Sequence, residues 1–106
     1  MTSEQILLRR DQDGVAFLTL NRPEARNALS LALIAAMQAE LDAIAQDKSV
    51  KVVVIGANGP AFSAGHDLKE VRSTPDPAAY RDLFDRCSQM MLSVVRLPQP
   101  VKIGRA

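Results

Sequence analysis

Residues 50–56 read VKVVVIG, an almost unbroken run of β-branched and aliphatic side chains. A strand with one wet face alternates apolar and polar residues, and this run does not. The pattern suits a strand covered on both faces, as in a sheet flanked by helices. An α/β chain is therefore expected. The flanking sequence agrees with it. Before the run, Leu31, Ile34, Met37, Leu41 and Ile44 recur at spacings of three and four and fall on one helical face. Ser30 precedes that face as a candidate N-cap, so a helix is predicted over 30–46. It has no capping box, because the residue three places on is Leu33. Upstream, QILLRR (5–10) and VAFLTL (15–20) are β-prone runs on either side of DQDG, a hairpin signal. The order strand, helix, strand then predicts a right-handed crossover between VAFLTL and VKVVVIG.

The remainder reads in the same way. NRPEARNA (21–28) is polar, contains Pro23 and is expected to be a loop. ANGPAFSAG (57–65) is a loop of small residues. Asp67 with Glu70 gives a D-x-x-E helix start. STPDP (73–77) is a break. A second helix is expected near 77–96, with Tyr80, Leu83, Phe84, Cys87, Met91 and Val94 on one face. LPQPV (97–101) ends it, and VKI is a candidate further strand.

Composition bounds the function. The chain has 106 residues, the size of one small domain, and 47% of them are hydrophobic, enough to bury a core. Thirteen basic and twelve acidic residues are well mixed, and a net charge of +1 lacks the basic excess of a polyanion-binding domain. No nucleic-acid partner is expected. No stretch reaches the length of a membrane span, so no membrane partner is expected either. One cysteine, Cys87, excludes an internal disulfide and fits a reducing compartment. MTSEQILLRR has the character of neither a secretory nor an organelle signal. A cytoplasmic protein is the expectation.

Several chemistries fail on their own motifs. His66 is the only imidazole, and no G-x-S-x-G elbow surrounds Ser63, which argues against a nucleophilic triad. With no second histidine, His66 and Asp67 do not make a metal site, and no metal is expected. GANGPAFSAG lacks the G-K-[ST] of a Walker loop, and Gly56, Gly59 and Gly65 have the wrong spacing for a dinucleotide fingerprint. What is left is a buried strand that runs into a loop of small residues and a helix start. Loops at the carboxyl ends of sheet strands are common ligand sites. Amides near a helix start suit an anion or a carbonyl oxygen that gains charge. An ordinary strand-to-helix connection fits the same residues.

Two longer stretches decide between them. LNRPEARNALS (20–30), followed by VKVVVIGANGPAFSAGHDLKE (50–70), resembles the crotonase superfamily, the enoyl-CoA hydratase/isomerase family, in order and spacing. The histidine of SAGHDLKE is most like the branch called enoyl-CoA hydratase domain-containing protein 3. The resemblance covers about residues 5–101. It implies the N-terminal portion of a crotonase-like (ClpP/crotonase) ββα spiral fold, with 1–106 as the N-terminal part of an acyl-CoA-binding domain. In this family an acyl-CoA thioester is the ligand, and coenzyme A is part of the substrate, so no resident cofactor is expected. The thioester oxygen sits between two backbone N–H donors. The first falls on His66, through its amide and not its imidazole, with Gly65 letting the backbone turn. Main-chain groups at Ala64, Asp67 and Leu68 would meet the adenine and pantetheine. The loop carrying Arg22, Ala25, Arg26 and Ala28 would line the coenzyme A site, with the two arginines facing phosphate.

The resemblance also implies a role in fatty-acid metabolism and assembly as trimers or hexamers. Relatives continue past P-x-P-V into a region that supplies the second donor and the catalytic carboxylates. Here LPQPV is followed by KIGRA, so 1–106 is read as truncated, with an atypical end at 102–106. Glu24, Asp67 and Glu70 match no family catalytic acid. Three functions follow as expectations: a family enzyme acting on acyl-CoA thioesters, a non-catalytic fragment that binds coenzyme A weakly, or a module that pairs with full-length family subunits. Helix faces that expect partners from elsewhere would lower stability and favour association.

Overall fold

The computed structural model describes residues 5–23, 27–59 and 76–103. Its elements run β1 (Leu7–Gln12), β2 (Val15–Leu20), α1 (Leu31–Ala45), β3 (Val52–Ala57), α2 (Pro77–Arg96) and β4 (Val101–Ile103). The strands form one sheet in the order β1-β2-β3-β4. β1 and β2 are antiparallel, while β2 with β3 and β3 with β4 are parallel. The α/β expectation holds, and VKI is the fourth strand.

Asp13 and Gly14 close the hairpin with φ of 53° and 82°. Both central residues are left-handed, the twist that a two-residue hairpin loop requires. The strand before the turn lies two residues later than QILLRR suggested, because Asp11 and Gln12 pair with Ala16 and Val15. Polar side chains are admissible there because β1 is the edge of the sheet.

α1 starts where Ser30 caps it: the Ser30 hydroxyl accepts from the Leu33 N–H at 3.1 Å. Its buried face is Leu33, Ile34, Met37, Leu41 and Ile44. Leu31, expected on that face, is exposed, and Leu33 takes its place. The first helical residue points away from the sheet, and the apolar stripe begins two residues later. These side chains pack on Leu7, Ala16, Leu18, Leu20, Val53 and Ile55, the alternate residues of the three long strands. Each fully buried aliphatic side chain contributes about 1.5–3 kcal/mol. Past the last turn, the Gln99 amide nitrogen donates to the Ile44 carbonyl at 2.8 Å and fixes the end of α1 to the segment before β4.

Only one face of β3 is fully covered. Val53 and Ile55 are buried, whereas Val52 and Val54 are half-buried. α1 lies on one side of the sheet and α2 packs on α1, adding Leu83 and Met90 to the same core. On the other side, Phe17 receives the Arg10 guanidinium 4.5 Å from its ring centre. Two-sided coverage is thus corrected to one covered face among the described residues.

α2 has the expected bounds, with Asp76 as N-cap and Pro77 at the first position, where its missing N–H costs nothing. The face differs from the periodicity. Leu83 and Met90 are buried and Cys87 and Val94 partly so, while Phe84 and Met91 are exposed. Burial pushes the Cys87 thiol pKa up. The exposed pair joins Leu92 and Val95 in an apolar strip on the outer side of α2. A 3.6-residue period cannot tell a broad stripe from two adjoining faces with different partners.

Arg9 ties the edge strand to α1. It holds Asp11 through two hydrogen bonds of 2.9 Å, reaches Glu40 at 3.1 Å and lies 3.8 Å from Asp47. The hydrogen bonds from Arg9 hold the Asp11 carboxyl below its usual range, and those from the Ser49 hydroxyl and N–H do the same for Asp47. A depressed carboxyl pKa adds stability above the unfolded value of about 3.9, and that stability is lost as pH falls through the folded value. Both carboxylates are well exposed, so the effect is small and screened by salt. The chain is therefore expected to lose melting temperature below about pH 4. Arg9→Gln should flatten that loss, as followed by circular dichroism from pH 7 to 2.

Candidate active-site end of the sheet

Because β2 and β3 are parallel, the chain leaves both strands at the same end of the sheet. Leu20 is the partner of Ala57 in the last register position. The loops that carry the two sequence motifs, 21–29 and 58 onward, therefore start side by side.

Three asparagines join them. The Asn58 N–H donates to the Leu20 carbonyl at 2.9 Å and its side-chain amide to Asn21 Oδ1 at 2.9 Å. The Asn21 amide donates to the Gln5 carbonyl, and the Asn21 N–H to that of Ile6. Asn27 is fully buried with φ of 54°. Asparagine tolerates that left-handed backbone better than most residues. Its Oδ1 accepts from the Arg22 N–H at 2.7 Å, and its own N–H donates to the Arg22 carbonyl at 2.9 Å. Its Nδ2 crosses to the other loop and donates to the Asn58 carbonyl at 2.9 Å. A buried amide left unpaired would cost several kcal/mol on the scale of about 1–3 per lost partner, so full pairing favours one loop arrangement.

The contact between loops is also steric. Gly59 has φ of +91°, and a Cβ built on it would lie 2.5 Å from Pro23 Cβ. The proline of NRP and the glycine of ANG fit together only because glycine has no side chain.

Of the expected site residues, Arg22 and Ala28 lie on this loop. Arg22 is half-buried and bound through its backbone to Asn27. Ala28 is buried, and its carbonyl accepts from the Ser30 N–H at the start of α1. Ala25, Arg26, Ala64, Gly65, His66, Asp67 and Leu68 lie outside the described residues, as do Glu24, Glu70 and the helix start at Asp67. Sequence reasoning passed over Asn27 and Asn58. The available signal was an asparagine closing a polar loop just before a helix cap, and an Asn-Gly pair just after a buried strand.

Clefts also occur between the helices. One of about 630 Å³ is lined by Ala35, Gln38, Asp42, Asp82, Arg86 and Gln89 among others. Within it Arg86 pairs with Asp82 at 3.0 Å, and Gln38 donates to Asp42 and to Ser93. Several of its polar groups are thus already paired, and none of the described motif residues lines this cleft.

The comparisons with known proteins follow the same stretches. A family model described as enoyl-CoA hydratase/isomerase matches residues 15–102. Enoyl-CoA hydratase domain-containing protein 3, mitochondrial, of Rattus norvegicus is 37% identical over 92 residues, which is 87% of this chain and 31% of the relative. The 2,3-dehydroadipyl-CoA hydratase of Escherichia coli is 46% identical over 80 residues, 76% of this chain and 31% of that protein. A crystal structure of an enoyl-CoA hydratase from Mycobacterium smegmatis superposes with a TM-score of 0.91 at 51% identity, covering 94% of this chain and 39% of the other. The chain thus spans about a third of the length of these curated relatives.

Gly59→Ala should destabilise the chain by about 1–3 kcal/mol, since it adds both a strained backbone and an overlap with Pro23. Urea unfolding followed by circular dichroism checks this, and Pro23→Gly in the same background, which removes the Cβ that the new methyl meets, should recover part of the loss.

Proposed function

The chain belongs to the enoyl-CoA hydratase/isomerase family, and on that premise we propose that it binds acyl-CoA thioesters at the carboxyl end of β2 and β3. The observation that carries the reading is the joining of the two motif loops there by Asn27 and by the Gly59–Pro23 contact. The backbone N–H of His66 is the proposed oxyanion donor, with Gly65 allowing the turn. Main-chain groups at Ala64, Asp67 and Leu68 meet the adenine and pantetheine. The loop with Arg22, Ala25, Arg26 and Ala28 lines the coenzyme A site. An arginine guanidinium matches phosphate in charge and shape. The domain assignment, 1–106 as part of an acyl-CoA-binding domain, belongs to the same proposal. So does a place in fatty-acid metabolism, supported by the acyl-CoA substrates in relatives' names. A cytoplasmic location is proposed on the free thiol of Cys87.

Enolising a thioester places negative charge on its oxygen. A preorganised amide stabilises that charge, and removing one such donor typically costs about 2.7–4 kcal/mol of transition-state stabilisation. An amide also explains how a histidine serves at position 66, since any residue with an N–H would do. Within 1–106 the family likeness assigns one donor and no acid or base. The part proposed for these 106 residues is accordingly ligand binding and one oxyanion donor. Missing proton transfer by itself lowers rates by about 10²–10⁴-fold.

Pairing with another family subunit is a second reading, favoured by the exposed apolar strip of Phe84, Met91, Leu92 and Val95. One set of assays separates the two. Calorimetry with butyryl-CoA should give binding that His66→Ala leaves nearly unchanged and His66→Pro weakens. Crotonyl-CoA hydration by the purified chain should stay near background. Turnover within about tenfold of a full-length relative would overturn the one-donor reading. Turnover gained only on mixing the chain with such a relative would favour pairing.

A further inference from the structure

We infer that Asn27 is a positioning residue for acyl-CoA binding, which holds the start of the loop after β3, at Asn58, to the loop after β2. The inference rests on the acyl-CoA reading above, because it concerns the segment to which that reading assigns the oxyanion donor.

The geometry is specific to an asparagine. Position 27 needs three things at once: a left-handed backbone, an acceptor aimed at the Arg22 N–H, and a donor aimed at the Asn58 carbonyl. Aspartate supplies the first two and sets a carboxylate oxygen against the Asn58 carbonyl. Glycine supplies only the first. The side chain is fully buried, so it is held in one place and is not exchanging partners with water.

The direction of its effect follows from the chain path. Asn58 and Gly59 are the last described residues before the segment that holds Ala64 to Leu68. The backbone at Asn58 is fixed twice, by its N–H on Leu20 and by its carbonyl under Asn27. Its side chain adds the bond to Asn21. With Asn27 absent, the carbonyl loses that bond, and the start of the loop after β3 is held only by the Asn58 N–H on Leu20 and by its side chain on Asn21. Small displacements of binding groups lower affinity and rate steeply. Asn27 itself need not touch the ligand for this to occur.

The test compares the full chain with Asn27→Gly, Asn27→Asp and Ile44→Val. Glycine accepts φ of 54° without strain, so Asn27→Gly removes the amide alone. Ile44→Val is a core change that lowers stability with no tie to either loop. One readout is amide hydrogen exchange at Asn58, with Val53 as the core reference, since its N–H is bonded to the Pro100 carbonyl. The other is the Kd for butyryl-CoA, measured well below the melting temperature of every variant. Asn27→Gly and Asn27→Asp should both speed exchange at Asn58 relative to Val53 by about tenfold or more. Both should weaken butyryl-CoA by about tenfold or more. Ile44→Val should leave the Asn58-to-Val53 ratio and the Kd as they are.

An unchanged exchange ratio in Asn27→Gly would overturn the inference. Faster exchange with an unchanged Kd would overturn it as well, because the held loop would then not be the one that matters to the ligand. If the unaltered chain binds no butyryl-CoA, the acyl-CoA reading falls by itself, and the exchange ratio alone decides whether Asn27 holds the two loops.

Discussion

The parallel pairing of β2 with β3 is the constraint on which the rest depends. Parallel strands need a crossover, and α1 is that crossover. The helix can lie on the sheet only if it buries one face there, which Leu33, Ile34, Met37, Leu41 and Ile44 do. The same pairing sends both chain segments off the sheet at one end. Two motifs thirty residues apart in sequence are therefore adjacent in space, and the asparagine bonds between them become possible. An antiparallel pairing would have put them at opposite ends.

This separates what holds the fold from what arranges the site. The fold rests on burial: among the described residues fourteen apolar side chains form one contiguous core that α2 joins through Leu83 and Met90. The Arg9 cluster adds a charged tie between the edge strand and α1, exposed enough to matter little to total stability. The site end is arranged by polar groups instead. Asn21, Asn27 and Asn58 are paired with backbone or with one another, and Gly59 lets Pro23 approach. Apolar packing tolerates small adjustments, whereas paired amides and a glycine contact do not. A site built on them is more sharply defined than the core beneath it.

How far the sequence reveals this follows the same division. The strand over 50–56, the cap at Ser30 and the bounds of α2 were legible because periodicity and capping are local. The choice of Leu33 over Leu31, and the exposure of Phe84 and Met91, were not, because they depend on which neighbour lies against each face. Two-sided cover of β3 was expected from composition, while the described helices cover one side. Of the site residues expected from the family likeness, Arg22 and Ala28 lie on the described loop after β2. Asn27 escaped notice because its role lies in a hydrogen bond to a residue 31 positions away, and a polar residue in a loop carries no sign of that.

Ligand is proposed to bind where the two parallel strands end, and not in the cleft between the helices. Titrating isotope-labelled chain with butyryl-CoA and following backbone amide shifts tests this directly. The account predicts that the largest changes fall on residues 21–29 and 58–68, with Gln38, Asp42, Asp82 and Gln89 unmoved. Changes concentrated on those helix residues, with the asparagine-linked loops silent, would contradict it.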